Sequence, residues 1–324
     1  MRPRGGVWCA AWLVLASVML MAEPARRVSA QAPVGSTTSK TWSPARLPDG
    51  QPNIEGAYVN AWQPGGGKDS RWENHSKDVR DAYAREYRKF SGGGSVGPGY
   101  GSEWTEPMQR RDVREVPYAV IDPPDGKIPW QPWALAKHEY IRHHPYERQE
   151  FLDPRVRCLP LGATPRSYLG NSVGIQIIQP PGLVVILWEF NHLSRVVRLD
   201  DRPHPGQDVR LYMGDSRGRW EDNTLVIDVT NFTDKTWIIG DGGSEGLSNG
   251  AFHSPALHIV ERLTMIDADR IDYEATVEDP NVFTRPWTLR FPLFNRAPRG
   301  YQLFEYACHE GNKTLDLTPL AGAK

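Results

Sequence analysis

Glu261 has the setting of a catalytic acid. Read as a strand, residues 256–266 place it on one face with Leu257, Ile259, Leu263 and Met265. His258, Val260, Arg262 and Thr264 take the other face, because strand side chains alternate. A carboxylate in an apolar row is costly unless it is paired or protonated, and burial raises its pKa. A general acid or base is tuned toward neutral pH in this way. The alternatives are an ion pair with an arginine, or an inverted strand with the His258 row inward. Glu305, within Leu303-Phe304-Glu305-Tyr306, repeats the pattern of one acid in an apolar run. Glu189 ends the apolar run 183–188, and Asn191 and His192 follow it. A carboxylate and an imidazole at the mouth of a barrel can exchange protons, although such residues also cap strand ends.

The catalytic candidates are therefore Glu261, His258, His192, Glu305, Glu189 and His253. No metal is expected from His253, His258 and Glu261. They lack the i, i+4 spacing of a helical zinc pair, and on a strand His258 and Glu261 face opposite sides. The spacing of His138, His143 and His144 also argues against a metal, since His138 and His143 diverge on a helix. Ser254 has a neighbouring histidine but no Gly-x-Ser-x-Gly elbow around it, so a serine hydrolase is not indicated. Trp188, Trp220, Trp237 and Trp287 lie in or beside predicted strands. They suit the walls of an aromatic or sugar pocket, or plain core filling. Arg217, Trp220 and Glu221 belong to a charged turn, 214–221, that could form the rim of such a pocket.

These residues need a β scaffold to hold them. Runs at 173–178, 183–190, 194–199, 209–213, 224–229, 236–239, 256–266, 270–279, 286–293 and 300–308 read as strands. The turns between them include Pro180-Pro181-Gly182, Asp222-Asn223 and Asp267-Ala268-Asp269. Short strands at this spacing predict an antiparallel barrel, lipocalin-like or sandwich-like, over residues 158–310. Parallel crossovers would need a dozen or more residues between strands. Asp222-Asn223 predicts a tight hairpin joining Trp220-Glu221 to Thr224-Leu225. The fully apolar run 183–188 predicts burial on both faces. An N-terminal extension, 31–157, carries two predicted helices, 74–90 and 132–144, separated by a Gly-rich loop. In the second helix, Trp133, Ala136 and Tyr140 share a face. A C-terminal tail, 311–324, follows the β region.

Residues 1–30 have the form of a signal peptide. Arg2 and Arg4 precede an apolar stretch from Val7 to Ala22, and Val28-Ser29-Ala30 is a small-residue cleavage site. Removing them leaves 34 Lys and Arg against 38 Asp and Glu, a net charge of -4. That balance argues against general nucleic-acid binding, and no later run is apolar for long enough to insert stably in a membrane. Two cysteines survive, Cys158 and Cys308. In an oxidising compartment such a pair reads as one disulfide. Asn231-Phe232-Thr233 is one of three glycosylation acceptor patterns.

Several stretches together resemble a family of secreted bacterial β-rich proteins of uncharacterised activity. They are Leu47-Pro48-Asp49-Gly50-Gln51-Pro52-Asn53, Cys158-Leu159-Pro160, Ser216-Arg217-Gly218-Arg219-Trp220-Glu221 with Thr224-Leu225-Val226, His253-Ser254 with Ala256-Leu257-His258, and Glu278-Asp279-Pro280. Asp215 stands where that family carries His. The resemblance implies secretion and a β-rich body, and it brings no activity. The expectation is a secreted or periplasmic protein, without a cofactor, that holds a small apolar, aromatic or sugar-like ligand in a β-barrel cavity. The alternative is an acid–base hydrolase, lyase or isomerase using Glu261 with a histidine. A third possibility is an envelope interaction protein without a pocket.

Overall fold

The computed structural model describes residues 42–60, 119–144, 147–155, 157–168, 174–240, 250–297 and 299–310. The signal-like segment, the predicted helix 74–90 and the C-terminal tail lie outside the described residues. The described residues are mainly β. Ten strands run in chain order: β1 Gly56–Asn60, β2 Val120–Asp122, β3 Ile175–Ile178, β4 Leu183–Trp188, β5 Ser194–Arg198, β6 Asp215–Glu221, β7 Thr224–Thr230, β8 His258–Met265, β9 Arg270–Glu278 and β10 Trp287–Arg296. Helix α1 spans Pro132–His143 and a single turn, α2, spans Pro165–Tyr168. No described helix is long and apolar enough to cross a membrane.

The strands form one large mixed sheet in the order β1-β3-β4-β5-β6-β7-β8-β9-β10-β2. β1 also pairs with β10, with Tyr58 opposite Arg296. The expected all-antiparallel arrangement fails at one seam. There β5 and β6 are parallel and share two register pairs, Val197–Ser216 and Arg198–Arg217. The connection 199–214 is long enough to carry the chain back to the same end of the sheet, which a hairpin cannot do. Two strands, β1 and β2, come from the segment expected to be an extension. The β region therefore begins before Cys158.

One face of the sheet carries the core. Val184, Ile186, Val197, Leu225, Ile227, Val229, Ile259, Leu263, Ile271, Tyr273, Val277, Trp287, Leu289 and Phe291 alternate inward and are buried. Each such large side chain contributes about 1.5–3 kcal/mol on leaving water. β4 buries only alternate residues, so the expected two-faced burial of 183–188 is not realised. Its other row stays part-exposed, and no layer among the described residues covers it. Beside the seam, Gly218 leaves room for side chains at the end of β5. A Cβ there would sit 2.6 Å from Val197 Cγ1 and 2.8 Å from Leu199 Cδ2.

Three predicted strands are absent. Residues 209–213 and 236–239 make only the isolated bridges Leu211–Phe232 and Trp237–Phe252, and 300–308 is irregular. Helix α1 turns a different face inward from the one expected. Ala134, His138 and Ile141 are buried, whereas Trp133 and Tyr140 are exposed. His138 stacks on Trp130 with ring centroids 4.9 Å apart. The amphipathic Trp133 instead donates its indole N–H to the Asn281 carbonyl at the surface.

The β6–β7 hairpin forms in the predicted register, with Trp220 opposite Leu225 and Glu221 opposite Thr224. Of its two central residues, only Asp222 has positive φ, at 51°. The β-branched substitution that matters is therefore at 222, not at 223. Asp222→Val is expected to lower stability by about 1–2 kcal/mol, and Asn223→Val by much less. Equal melting temperatures for the two variants would show that the turn tolerates strain at either position.

Candidate functional site

Glu261 points inward, as its row predicts, and is fully buried. Its partner is neither a histidine nor Arg262 or Arg290. Arg195, from the inner row of β5, makes an ion pair with it through Nη2, and the Tyr273 hydroxyl donates to its other oxygen at 2.7 Å. Arg195 also donates through Nη1 to the Tyr168 hydroxyl at 2.8 Å and through Nε to Ser216 Oγ at 2.9 Å. All five residues are buried, and the rings of Tyr168, Tyr273, Trp188 and Phe291 surround them. Burial pushes the Tyr168 and Tyr273 hydroxyls far above the usual tyrosine range. Burial also opposes the charge on Arg195, but the Glu261 carboxylate together with the Tyr168 and Tyr273 hydroxyls outweighs it and holds the guanidinium charged. With Arg195 rather than a histidine as partner, Glu261 is built into a structural polar core. A strand-level signal for that partner exists: Arg195 interrupts an apolar row of β5 as Glu261 interrupts that of β8.

A second constellation lies on the opposite, half-exposed face of β6, β7 and β8. His258 Nε2 is 3.0 Å from Asp228 Oδ2, and His204 Nε2 is 2.9 Å from Asp228 Oδ1. His204 Nδ1 is 2.7 Å from Asp215 Oδ2. Arg217 donates to Asp215 at 2.7 Å and to Asp200 at 3.2 Å. Asp228 and Arg217 are register partners across β6–β7, and His258 begins β8 beside them. His204 arrives on the 199–214 connection. That connection is held by Asn231, whose side-chain amide donates to the carbonyls of Pro205, Gly206 and Val209. Asn231 is thus buried and committed, which makes this acceptor pattern unsuited to a glycan in the folded protein. The hydrogen bond to Asp228 raises the His258 imidazole above its ordinary value despite partial burial. The same bond, first among several, holds Asp228 below the usual carboxylate range. Among the described residues no group of His, Cys, Asp or Glu has the geometry to hold a metal ion.

The remaining candidates have structural partners. Glu189 is buried and accepts from the Tyr301 hydroxyl at 2.9 Å and the Phe304 amide at 3.1 Å. His192 Nε2 accepts the Tyr306 amide at 3.1 Å. Glu305 is exposed on the same irregular segment rather than set in an apolar strand. The reason is that this segment is held by side chains, with no strand ladder beside it. His253 is buried between Thr236 Oγ1, 2.8 Å from Nε2, and the Ser254 carbonyl, 2.9 Å from Nδ1. Burial lowers its pKa. The Ser254 hydroxyl donates to Asp279 at 2.9 Å rather than to the histidine ring.

The proposed ligand-binding residues do not share one place. Trp188, Trp237 and Trp287 are core residues, and Trp237 lies flat against Gly250, where a Cβ would clash with its ring. Trp220 faces the core side of β6 and donates to Gln51 at 3.1 Å. Arg217 and Glu221 lie on the outer face, Glu221 between Arg219 and Arg262. Cys158 and Cys308 are joined as expected, with Cα atoms 5.7 Å apart. In the sequence His204 carries no signal, and Asp215 and Asp228 stand out only as charges of the 214–228 hairpin; the strand register and the 199–214 connection bring them to His258.

Comparison with family models, curated proteins and solved structures finds no match to this chain.

Proposed function

We propose that this is a secreted or periplasmic protein whose working site is the His258–Asp228–His204–Asp215 cluster, acting as a proton-transfer site on a small polar ligand such as a sugar-like molecule. One observation carries this reading: Asp228 gives one oxygen to each of two imidazoles. A carboxylate that fixes one ring nitrogen orients the imidazole and leaves its other nitrogen for chemistry. The other edge of His258 is half exposed and faces Glu278, 3.9 Å from Nδ1. Secretion is supported by the signal-like start and the Cys158–Cys308 pair. The double pairing of β1, with β3 and with β10, supports a barrel as the scaffold.

A panel of chromogenic esters, lactones and glycosides tests the reading. His258→Gln is expected to lower turnover at least a hundredfold with little change in melting temperature, and Asp228→Asn should follow it. The pH dependence has a defined sign. His258 is raised in the folded state, so the stabilisation from its pairing is full below about pH 6.5 and is lost as pH rises through its folded value. Asp228 is lowered, so its share is present above about pH 4 and is lost as pH falls through its folded value. Turnover that survives in His258→Gln would overturn the assignment.

A second reading, ligand binding on the core side of the sheet, has its own support. The indole N–H groups of Trp188 and Trp287 are buried without an acceptor, and buried donors normally find one. A ligand oxygen would fill that role. Quenching of tryptophan fluorescence by members of the same panel, lost in Trp188→Phe, is the expected result if the site lies there.

A further inference from the structure

We propose that residues 301–308 form a latch over the β4–β5 turn, locked by the Cys158–Cys308 disulfide and opened by a dithiol reductant. The turn 189–193 joins β4 to β5, and each of its polar side chains nearest the segment is spent on it. Glu189 takes the Tyr301 hydroxyl and the Phe304 amide, and His192 takes the Tyr306 amide. Phe190 and Tyr306 close the contact with ring centroids 4.8 Å apart. The Tyr301 hydroxyl also accepts the Gly174 amide at 3.0 Å. Gly174 has no side chain to obstruct it, and a Cβ there would lie 2.4 Å from that oxygen.

The segment belongs to no strand. Among the described residues, side-chain bonds, the packing of Tyr306 against the core and one covalent bond hold it. The backbone beneath it is strained. Cys158, Asn191 and His192 all have positive φ, at 56°, 54° and 49°, a conformation that strains non-glycine residues. The Asn191 amide ties the turn to the Leu159 carbonyl, next to Cys158. Strain, disulfide and strap therefore meet at one place. Neither cysteine is fully buried, and thiol–disulfide exchange depends on such access.

In the opening step a thiolate of the dithiol attacks one sulfur of the pair, the S–S bond breaks and a mixed disulfide forms. The second thiol of the dithiol then displaces the protein sulfur. Two electrons and two protons pass to Cys158 and Cys308, and the dithiol becomes a disulfide. The freed segment leaves the Glu189 carboxylate and the His192 imidazole without their present donors and open to solvent. The latch is independent of the His258 site.

Amide hydrogen exchange on the full chain, with and without dithiothreitol, tests this. Reduction is expected to speed exchange at Phe304 and Tyr306 at least tenfold while β7 and β8 keep their protection. Cys308→Ser should show the same open state with no reductant. Tyr301→Phe, with the disulfide intact, should stay closed. Unchanged exchange on reduction would overturn the proposal, because the non-covalent contacts would then suffice. Loss of protection across β7 and β8 would overturn it too, because the disulfide would then brace the whole sheet. A Tyr301→Phe protein as open as the reduced one would show that the disulfide is not the lock.

Discussion

Arg195→Met is expected to lower the unfolding free energy by about 3–5 kcal/mol, measured by urea denaturation. The substitution leaves the buried Glu261 carboxylate with the Tyr273 hydroxyl as its remaining donor. It also strips Ser216 and Tyr168 of a charged partner. Removing one member of a buried pair costs more than removing both, since the survivor must stay desolvated without compensation. The double variant Arg195→Met/Glu261→Leu should therefore recover much of the loss. A single-variant cost below about 1 kcal/mol, the range of surface pairs, would mean that water reaches the pair. The same experiment bears on function. If Glu261 is structural, Glu261→Gln lowers stability and leaves activity at the His258 cluster in place.

Asp153→Asn is expected to cost a similar amount, about 3–5 kcal/mol. Asp153 and Arg166 are both buried and form an ion pair. The pair fixes the loop between the 3-10 turn Gln149–Phe151 and α2, and the Arg166 amide joins that loop to the Ile238 carbonyl at 2.9 Å. Burial pushes the Asp153 carboxyl up, but the charges of Arg166 and Arg155 and a backbone N–H overcome this and hold it below the usual range. The stabilisation is accordingly present above about pH 4 and is lost as pH falls through the lowered folded value. Wild type and Asp153→Asn should converge in stability as the solution is acidified. Parallel curves down to strong acid would show that Asp153 does not report the pair.

Much of the β body was legible because alternation is a local signal. The row of Glu261 was read correctly from Leu257, Ile259, Leu263 and Met265. Its partner was not, because Arg195 lies on a strand that meets β8 only through the packed interior. β1 and β2 were missed for a different reason: five and three residues among prolines and glycines carry too little periodicity. Residues 300–308 were misread as a strand because Tyr301, Leu303, Phe304 and Tyr306 make the run rich in apolar and aromatic residues, while Glu189, His192 and Cys158 are what hold it. Helix α1 was given the wrong face because Trp133 and Tyr140 outweigh Ala134 and His138 in hydrophobicity, yet smaller residues fit the contact. The His258 cluster needed register, which composition does not carry.

The pairing pattern also bears on how this protein avoids its own kind. A strand edge with unpaired N–H and C=O groups is a template for another chain, and proteins blunt such edges to prevent aggregation. Among the named strands only β2 has a single neighbour. It is three residues long, Pro123 follows it, and Asp122 is tied to Arg285. The two-pair seam leaves the far end of β6 short of a strand partner, and there Gln51 and Ser43 cover Trp220 and Asn223. Among the described residues, the edge offered by β2 is therefore a short and blunted template for another copy.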